Sequence, residues 1–530
     1  MKNKFSDEKI FRRKDFQTKR ARIHRSIFVV LLCLIAGAMT TSVFATNLLW
    51  VLLLANWVVE WNWTEKFGDF RHNYLLQAFL ALIAVHLVWL LCTANLSYGL
   101  FDIQKKLPLI ALPLVILTTK PLNAKEALNV GICYCGTVFV VTIIGLVRHL
   151  TIPDLPYREI VPYISHIRFG LNICLSIVLL FYAAFRYRKG WICGVSLALT
   201  LWYLCFLFLL HAYTAFIILF VMSVTLAIVY RRRMTRRSRL LIASVLSAIT
   251  LAVGLLAAIY THDYYHLQEL STQPMAAMTP NGHPYIHHDD GIIENGNYIH
   301  HYICEEEMRQ EWAKMSAFPF DSLTATGYTI YPTLLRYLNG LGLTKDSLGM
   351  AHLSPADIAA IEKGIANPVY LQHGPRKMAY AFLYEYESHR CYHSVSNFSM
   401  LQRIELWKNG LQVFLQHPIF GVGTGDVPDV CHENLVMEQS PLADTNLHTH
   451  NQYLNFLIAF GLLGFIIIAF CFVRAIHKER YCSSVVFTAF LCILLISFIS
   501  EDTLETLAGI TFAALGFVLL APRKSELVKS

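Results

Sequence analysis

Long apolar segments separated by short polar connections occupy most of the chain. When helical, a segment of about twenty apolar residues matches the thickness of the hydrocarbon core of a bilayer. The pattern therefore predicts an all-α polytopic membrane protein with about twelve transmembrane helices. The predicted spans lie near residues 27–44, 45–59, 74–93, 108–119, 126–148, 169–187, 191–210, 213–229, 240–260, 452–473, 483–499 and 507–521.

Residues 261–451 interrupt this pattern, because they are polar, aromatic and rich in histidine, with no run long enough to span. Helical periodicity within them predicts helices near 303–316 and 354–364, the second opened by Ser354 and Pro355 as a typical helix start. We therefore divide the chain into three parts. N-terminal membrane helices occupy 1–260, a large and mainly helical loop that includes the candidate site segments occupies 261–451, and C-terminal membrane helices with a tail occupy 452–530.

The basic residues predict the orientation in the membrane. Ten of the first 26 residues are Lys or Arg, and basic clusters at 186–189, 231–239, 474–480 and 523–524 fall on the same side in this scheme. Because positive charge resists translocation, both termini are expected in the cytoplasm and 261–451 outside. Lys105 and Lys106 are exceptions. We interpret their loop as interfacial, with the lysines reaching anionic groups.

Composition excludes several classes of protein. The chain is 55% hydrophobic and 15% charged, which is too apolar for a soluble enzyme. Its net charge of +8 resides in the loop clusters, so nucleic acid is not an expected partner. The basic N-terminus followed by an apolar span also resembles a signal peptide, but its length favours a retained helix. Most of the thirteen cysteines lie in apolar segments. Two of Cys304, Cys391 and Cys431 can pair in an oxidising compartment.

An amphipathic helix is predicted over 398–416, with Arg403 and Trp407 on one face. A guanidinium suits phosphate oxygens, although an arginine that only reaches the interface explains the same pattern. The glycine-rich turn 421–425 follows. It fits either a phosphate cradle around Gly423 or, better, a tight turn that packs against the membrane part.

His448-Thr449-His450-Asn451 stands directly before a helix of membrane length. A helix N-terminus favours a neutral imidazole, which can accept a proton from a hydroxyl, and it also attracts anions. Simple capping and packing is the alternative. Arg168 begins another apolar span on the same predicted side, where either phosphate binding or interface anchoring explains it.

The histidine-rich run from His283 to His301 has no zinc-ligand spacing, so no metal site is predicted. Glu305–Glu307 is interpreted as a solvated helix face. We expect no cofactor.

These motifs resemble the O-antigen ligase and O-antigen polymerase superfamily, membrane enzymes that act on undecaprenyl-diphosphate-linked glycans. His450-Asn451 is followed by nine residues and then Gly461-Leu462-Leu463-Gly464, which matches the family pattern completely. Arg403 with Trp407 and the turn Pro418 to Gly423 are also similar to the family, as is the position of Arg168. The outer segment is longer than in typical ligases and resembles a Bacteroidetes-type variant.

The resemblance implies a GT-C-like ligase fold and a metal-independent, inverting glycosyltransferase on the periplasmic face of the bacterial inner membrane. Arg168 and Arg403 would hold the diphosphate, and His450 would orient or deprotonate the acceptor. The partners would be the lipid-linked donor, a glycolipid or glycan acceptor and membrane lipids. Supporting candidates are Asn451, Glu405, Asp426, Arg336, His448 and Gly423.

Three functions remain open from sequence alone. The leading hypothesis is a ligase that moves a glycan onto lipid A–core. A polymerase that joins lipid-linked repeat units uses the same chemistry. A twelve-helix transporter would place its polar site near the bilayer midplane between repeated halves, which this pattern does not favour.

Overall fold

The structure, a computed structural model, describes residues 2–68, 70–153, 155–325, 327–372, 374–392, 399–445 and 448–522. Leu447, which precedes the histidine motif, and the basic tail residues Arg523 and Lys524 lie outside these ranges. The described chain is mainly helical, and its strands form a single two-stranded hairpin.

The helices follow the apolar pattern of the sequence closely. Up to residue 265 they are α1 (Lys2–Ala38), α2 (Val43–Glu60), α3 (Trp63–Phe67), α4 (Tyr74–Trp89), α5 (Leu96–Lys106), α6 (Pro108–Thr118), α7 (Ala124–Thr151), α8 (His166–Tyr187), α9 (Gly190–Leu209), α10 (Tyr213–Val229) and α11 (Arg236–Tyr265). Between 266 and 416 the helices are α12 (Glu269–Thr272), α13 (Glu305–Met315), α14 (Ile330–Gly340), α15 (Ser347–Met350), α16 (Pro355–Glu362), α17 (Pro375–Tyr392) and α18 (Ser399–Gln416). The two strands, β1 (Ile293–Glu294) and β2 (Asn297–Tyr298), lie between α12 and α13. The remaining helices are α19 (Val427–Met437), α20 (Gln452–Lys478), α21 (Val485–Ser500) and α22 (Leu507–Leu520).

Eight helices in the described residues are long and apolar enough to cross a membrane. They are α1 from Lys19, α2, α4 with its extension to Cys92, α7, α8, α9, α11 and α20. The other four predicted spans coincide with shorter helices: α6 has 11 residues, α10 has 17, α21 has 16 and α22 has 14. The chain is therefore an all-α, multi-pass membrane protein. The count of twelve spans and the outer location of residues 261–451 stay predictions.

The chain forms two compact units. One consists of residues 1–239 and 406–530, and the other of residues 240–405. The predicted boundaries at 260 and 451 concern membrane topology and stay predictions. All thirteen cysteines, including Cys304, Cys391 and Cys431, carry free thiols in this structure.

The second unit has its own core, centred on α13, α14 and α16. Trp312, Ile330 and Tyr337 are fully buried there. Ser354 caps α16 in a reciprocal capping box with Asp357, as the sequence predicts. Helix α18 likewise matches the predicted amphipathic segment.

In the first unit, α20 is broken at Gly461, whose backbone angles are φ 61° and ψ −169°. The turn from Pro418 to Gly423 fills the break. Val422 and Gly423 donate N–H bonds of 2.9 Å to the carbonyls of Ile458 and Ala459. The N–H groups of Leu462 and Leu463 donate to the carbonyls of Pro418 and Ile419, at 2.8 and 3.1 Å. Two carbonyls and two N–H groups of α20 at the break thus bond to the turn instead of to each other.

We expect Gly461→Ala to destabilise the first unit. Its Cβ would lie 2.3 Å from the Ile419 carbonyl oxygen, and the backbone conformation is one that essentially only glycine adopts. A loss of about 1–3 kcal/mol or more should appear as a lower apparent Tm of the purified protein in detergent. Gly131→Ala on α7 is the matched control, because nothing lies within 4 Å of its added Cβ. Equal apparent Tm values of the two variants would contradict the requirement for glycine at position 461.

Candidate active site

The start of α20 presents His450 in a constrained conformation. Asn451 is the N-cap, and its side-chain oxygen accepts the N–H of Leu454 at 3.0 Å. His450 comes one residue before the cap and has a left-handed backbone with φ +48°. A non-glycine residue held in this region costs free energy and is frequent at functional sites. Asn451 therefore performs the capping that sequence alone left open for the histidine, and His450 lines a cavity instead.

An acidic turn between α21 and α22 lies opposite His450. Glu501 and Asp502 follow the end of α21, and both are buried. Gln452 fixes this turn to the first residue of α20: its Oε1 accepts the N–H of Leu504 at 2.7 Å, and its Nε2 donates to Glu505 at 3.3 Å. Because Gln452 is fully buried, these bonds hold the acidic turn in register with His450.

Arg168 completes the charged cluster. It lies in the first turn of α8, and its Nη2 is 3.7 Å from a Glu501 oxygen and 3.6 Å from Asp502 Oδ1. The same Asp502 oxygen is 3.9 Å from His450 Nδ1. These separations exceed hydrogen-bond length. The groups therefore attract one another by charge, while the guanidinium donates no hydrogen bond to either carboxylate. Arg168 Nε is buried and donates to no acceptor within the described part of the chain.

Arg168, His450 and Asp502 line one cavity of about 220 Å³. One side carries Lys105 and Lys106 from the end of α5 together with the carboxylates of Asp102 and Glu505, and apolar rings of Phe456 and Phe460 form part of the wall. The residues that line it are His86, Tyr98, Asp102, Lys105, Lys106, Arg168, Thr424, Val427, Pro428, His448, His450, Asn455, Phe456, Ala459, Phe460, Asp502, Glu505 and Thr506. All belong to the first unit.

Lys106 is the centre of a buried ion network. Its Nζ lies 2.6 Å from both oxygens of Asp102 and 2.8 Å from Glu505 Oε2. Burial tends to lower the pKa of Lys106, but the charges of Glu505 and Asp102 outweigh it and raise the pKa. Burial likewise tends to raise the pKa of Glu505, but Lys106 and Lys105 lower it overall. Both groups are therefore charged at neutral pH. The anionic groups that Lys106 contacts are carboxylates of the protein itself.

Asp426 and the glycine turn have structural contacts. The Asp426 carboxylate accepts the N–H groups of Ala94 and Asn95, at 2.8 and 2.7 Å, just before α5. Gly423 packs so closely on Thr93 that an added Cβ would lie 2.6 Å from its Oγ1. Since the N–H groups of Gly421, Val422, Gly423 and Gly425 all donate to protein acceptors, the turn is a packing element and those groups are not offered to an anion.

Three other predicted residues belong to the second unit. Arg403 and Glu405 lie on α18, and both are partly buried. Arg336, on α14, pairs with the fully buried Glu294 through bonds of 2.9 and 2.7 Å and lies over the Tyr384 ring. This pairing gives Arg336 a structural role in the core of its unit. The structure thus brings together Arg168, His448, His450 and Asn451, while Arg403 and Glu405 keep their predicted roles as proposals.

The sequence interpretation missed the acidic pair Glu501–Asp502 and the Lys106 network. A signal was available, because two adjacent carboxylates directly end an apolar span on the side predicted for His450. His450, Glu501 and Asp502 also offer ligand atoms within 4.8 Å of one another, a set that suits a divalent cation. Arg168 supplies positive charge at the same two carboxylates. Independence from metal stays a prediction.

Fold and cavity together define a multi-pass membrane protein with a charged, partly enclosed site made by its helices. A family model described as O-Antigen ligase matches residues 365–469. This stretch carries Arg403, Asp426 and His450, and its match supports the resemblance to the O-antigen ligase and polymerase family. A search of curated proteins found no match to the chain.

We expect Lys106→Met to destabilise the first unit strongly, because it leaves Asp102 and Glu505 buried without their shared cation. Breaking a buried ion pair in this way costs about 3–5 kcal/mol, which should lower the apparent Tm in detergent. Lys105→Met is the matched control, because Lys105 is 21% exposed and lies farther from both carboxylates. If both variants melted like the native protein, the network would not be part of the framework of the site.

Proposed function

We propose that this protein transfers a glycan from undecaprenyl diphosphate to an acceptor hydroxyl at the outer face of the bacterial inner membrane, with lipid A–core as the acceptor. The observation that supports it is the shared cavity in which Arg168, His450 and the Asp502 carboxylate converge. A basic group for the leaving diphosphate and an imidazole for the acceptor proton are the two functions that such a transfer requires.

In the proposed reaction, the acceptor oxygen attacks the anomeric carbon on the face opposite the diphosphate. A new carbon–oxygen bond forms as the sugar–phosphate bond breaks, which inverts the anomeric configuration. The electron pair and the negative charge leave on undecaprenyl diphosphate. Arg168 donates hydrogen bonds to the departing phosphate oxygens, with Arg403 as the second arginine of the proposal.

The acceptor proton passes to His450 as the new bond forms. Asp502 lies 3.9 Å from Nδ1 of the ring, so its negative charge stabilises the imidazolium that results. The Asp502 oxygen nearest His450 is buried and accepts no hydrogen bond from the described residues, which leaves it available to the protonated ring. Because Asp502 lies beside both Arg168 and His450, it links the group that binds the leaving diphosphate to the group that accepts the proton.

We expect His450→Ala to reduce transfer by about 10²–10⁴-fold and Arg168→Ala by about 10²–10³-fold. The assay uses purified protein, undecaprenyl-diphosphate-linked glycan and lipid A–core. Controls on the same helices are His477→Ala, in the last turn of α20, and Arg186→Ala, near the end of α8, because both side chains are exposed. Full activity of a normally folded His450→Ala variant would refute the catalytic assignment.

The same assay run with a chelator tests metal independence. Because Arg168 already provides positive charge at Glu501 and Asp502, we expect transfer to continue at an unchanged rate. Loss of transfer in chelator, restored by a divalent cation, would assign His450, Glu501 and Asp502 to a metal site instead.

A deletion strain separates the ligase from a polymerase that uses the same chemistry. We expect glycolipid gels of the deletion strain to show lipid A–core without any attached glycan, because no transfer onto the core occurs. Core carrying one repeat unit would identify a polymerase. An unchanged ladder, in a strain without a second copy of the gene, would contradict both.

A further inference from the structure

The second unit has a polar cavity of its own, with a volume of about 350 Å³. This is within the range of small-molecule sites, roughly 300–1,000 Å³. It lies where α11 ends and is closed by the segments around Asn295, Gly340 and Pro368. The residues that line it are Asp263, His266, Gln268, Asn295, Gly340, Pro368, Val369, Gln372, Arg376 and Tyr380.

The floor of this cavity is rigid. Asn295 is buried, has a left-handed backbone with φ +54°, and donates from Nδ2 to the Gly340 carbonyl and to Asn367 Oδ1, both at 3.2 Å. Asn367 is fully buried and donates in turn to Glu294 at 2.7 Å. Because Glu294 is also held by Arg336, the floor is tied to the core of the unit. A site with such support has little ordering cost on binding.

Several polar groups at the walls have bonding capacity left. The amides of Gln268 and Gln372 are exposed, and neither makes a side-chain hydrogen bond to the described residues. Arg376 donates from Nη2 to the Tyr380 hydroxyl at 3.1 Å, but its Nε is buried and has no acceptor among the residues described. A buried donor without an acceptor is costly unless a bound group or water completes it.

The mixture of groups indicates the class of ligand. Each carboxamide offers both a donor and an acceptor, Arg376 offers donors, and the Asp263 carboxylate offers acceptors only. A phosphate or other anion would meet the negative charge of Asp263, which disfavours it. Sugar hydroxyls donate and accept at closely spaced positions, and they carry no charge. They match this set of groups.

We propose that this cavity binds a neutral saccharide residue of the transferred or receiving glycan. The identity of the saccharide rests on the proposed function, in which the protein transfers a glycan. The cavity adds a binding role for the second unit. The Gln268 and Gln372 amides and Arg376 contact the sugar hydroxyls.

The test measures binding without turnover, by titrating the full-length protein in detergent with saccharide lacking diphosphate. Mild acid hydrolysis of the lipopolysaccharide of the source bacterium, followed by size fractionation, gives long-chain glycan and core oligosaccharide as separate probes. We expect saturable binding of at least one fraction. Binding of long-chain glycan alone assigns the donor, and equal binding of core assigns the acceptor.

The double variant Gln268→Ala/Gln372→Ala should weaken this binding by about ten- to thirtyfold, since each lost hydrogen bond is worth about 1 kcal/mol. Gln310→Ala is the matched control, because Gln310 is an exposed glutamine of α13 in the same unit and does not line the cavity. Unchanged binding in the double variant, or an equal loss in the control, would overturn the site. Tighter binding of inorganic phosphate than of either saccharide would overturn the ligand class.

These outcomes are separable from those for the reaction itself. An active His450→Ala protein would refute the proposed mechanism without altering the titration. Conversely, a failed titration would leave the results for His450 and Arg168 as they stand.

Discussion

The requirement that every backbone group in an apolar environment finds a partner governs the architecture of the first unit. Helix α20 violates the regular helical pattern at Gly461, and the turn from Pro418 to Gly423 supplies partners for two carbonyls and two N–H groups at the break. Because the turn continues into Asp426, which binds the backbone before α5, the break also positions α5 and its two lysines. Gly461 and the glycine turn thus have a direct structural use.

The second constraint is electrostatic and concerns the charged side chains in and around the cavity of the first unit. Four carboxylates, three cations and an imidazole lie close together: Glu501, Asp502, Asp102, Glu505, Arg168, Lys105, Lys106 and His450. They divide into two groups. The Lys106 network has short hydrogen bonds and fixes the framework, whereas Asp502 stands farther from Arg168 and His450, at 3.6 and 3.9 Å, and the Nε donor of Arg168 keeps capacity for a substrate. Gln452 joins the groups, because it bonds to the turn that carries both Asp502 and Glu505.

The second unit shows the same division between fixed and available polar groups. Glu294, Arg336, Asn339 and Asn367 satisfy one another in its core. The amides and guanidinium that line its cavity are only partly used. The proposed saccharide site uses the groups of this second kind, the Gln268 and Gln372 amides and Arg376.

The sequence alone determined the helical membrane class, the start of α20 with His450 directly before it, the amphipathic α18 and the N-cap of α16. These features depend on local periodicity and on short motifs, which a linear pattern records directly. Sequence could not decide which role the glycine turn has, or that Arg336 is used in a core ion pair. Nor did it connect Lys106 with Glu505, or Arg168 with Asp502, since these pairs are separated by more than three hundred residues. Only the tertiary packing of α5, α8, α20 and the turn after α21 brings those charges together, and the burial of Lys106 makes its pairing with Glu505 obligatory.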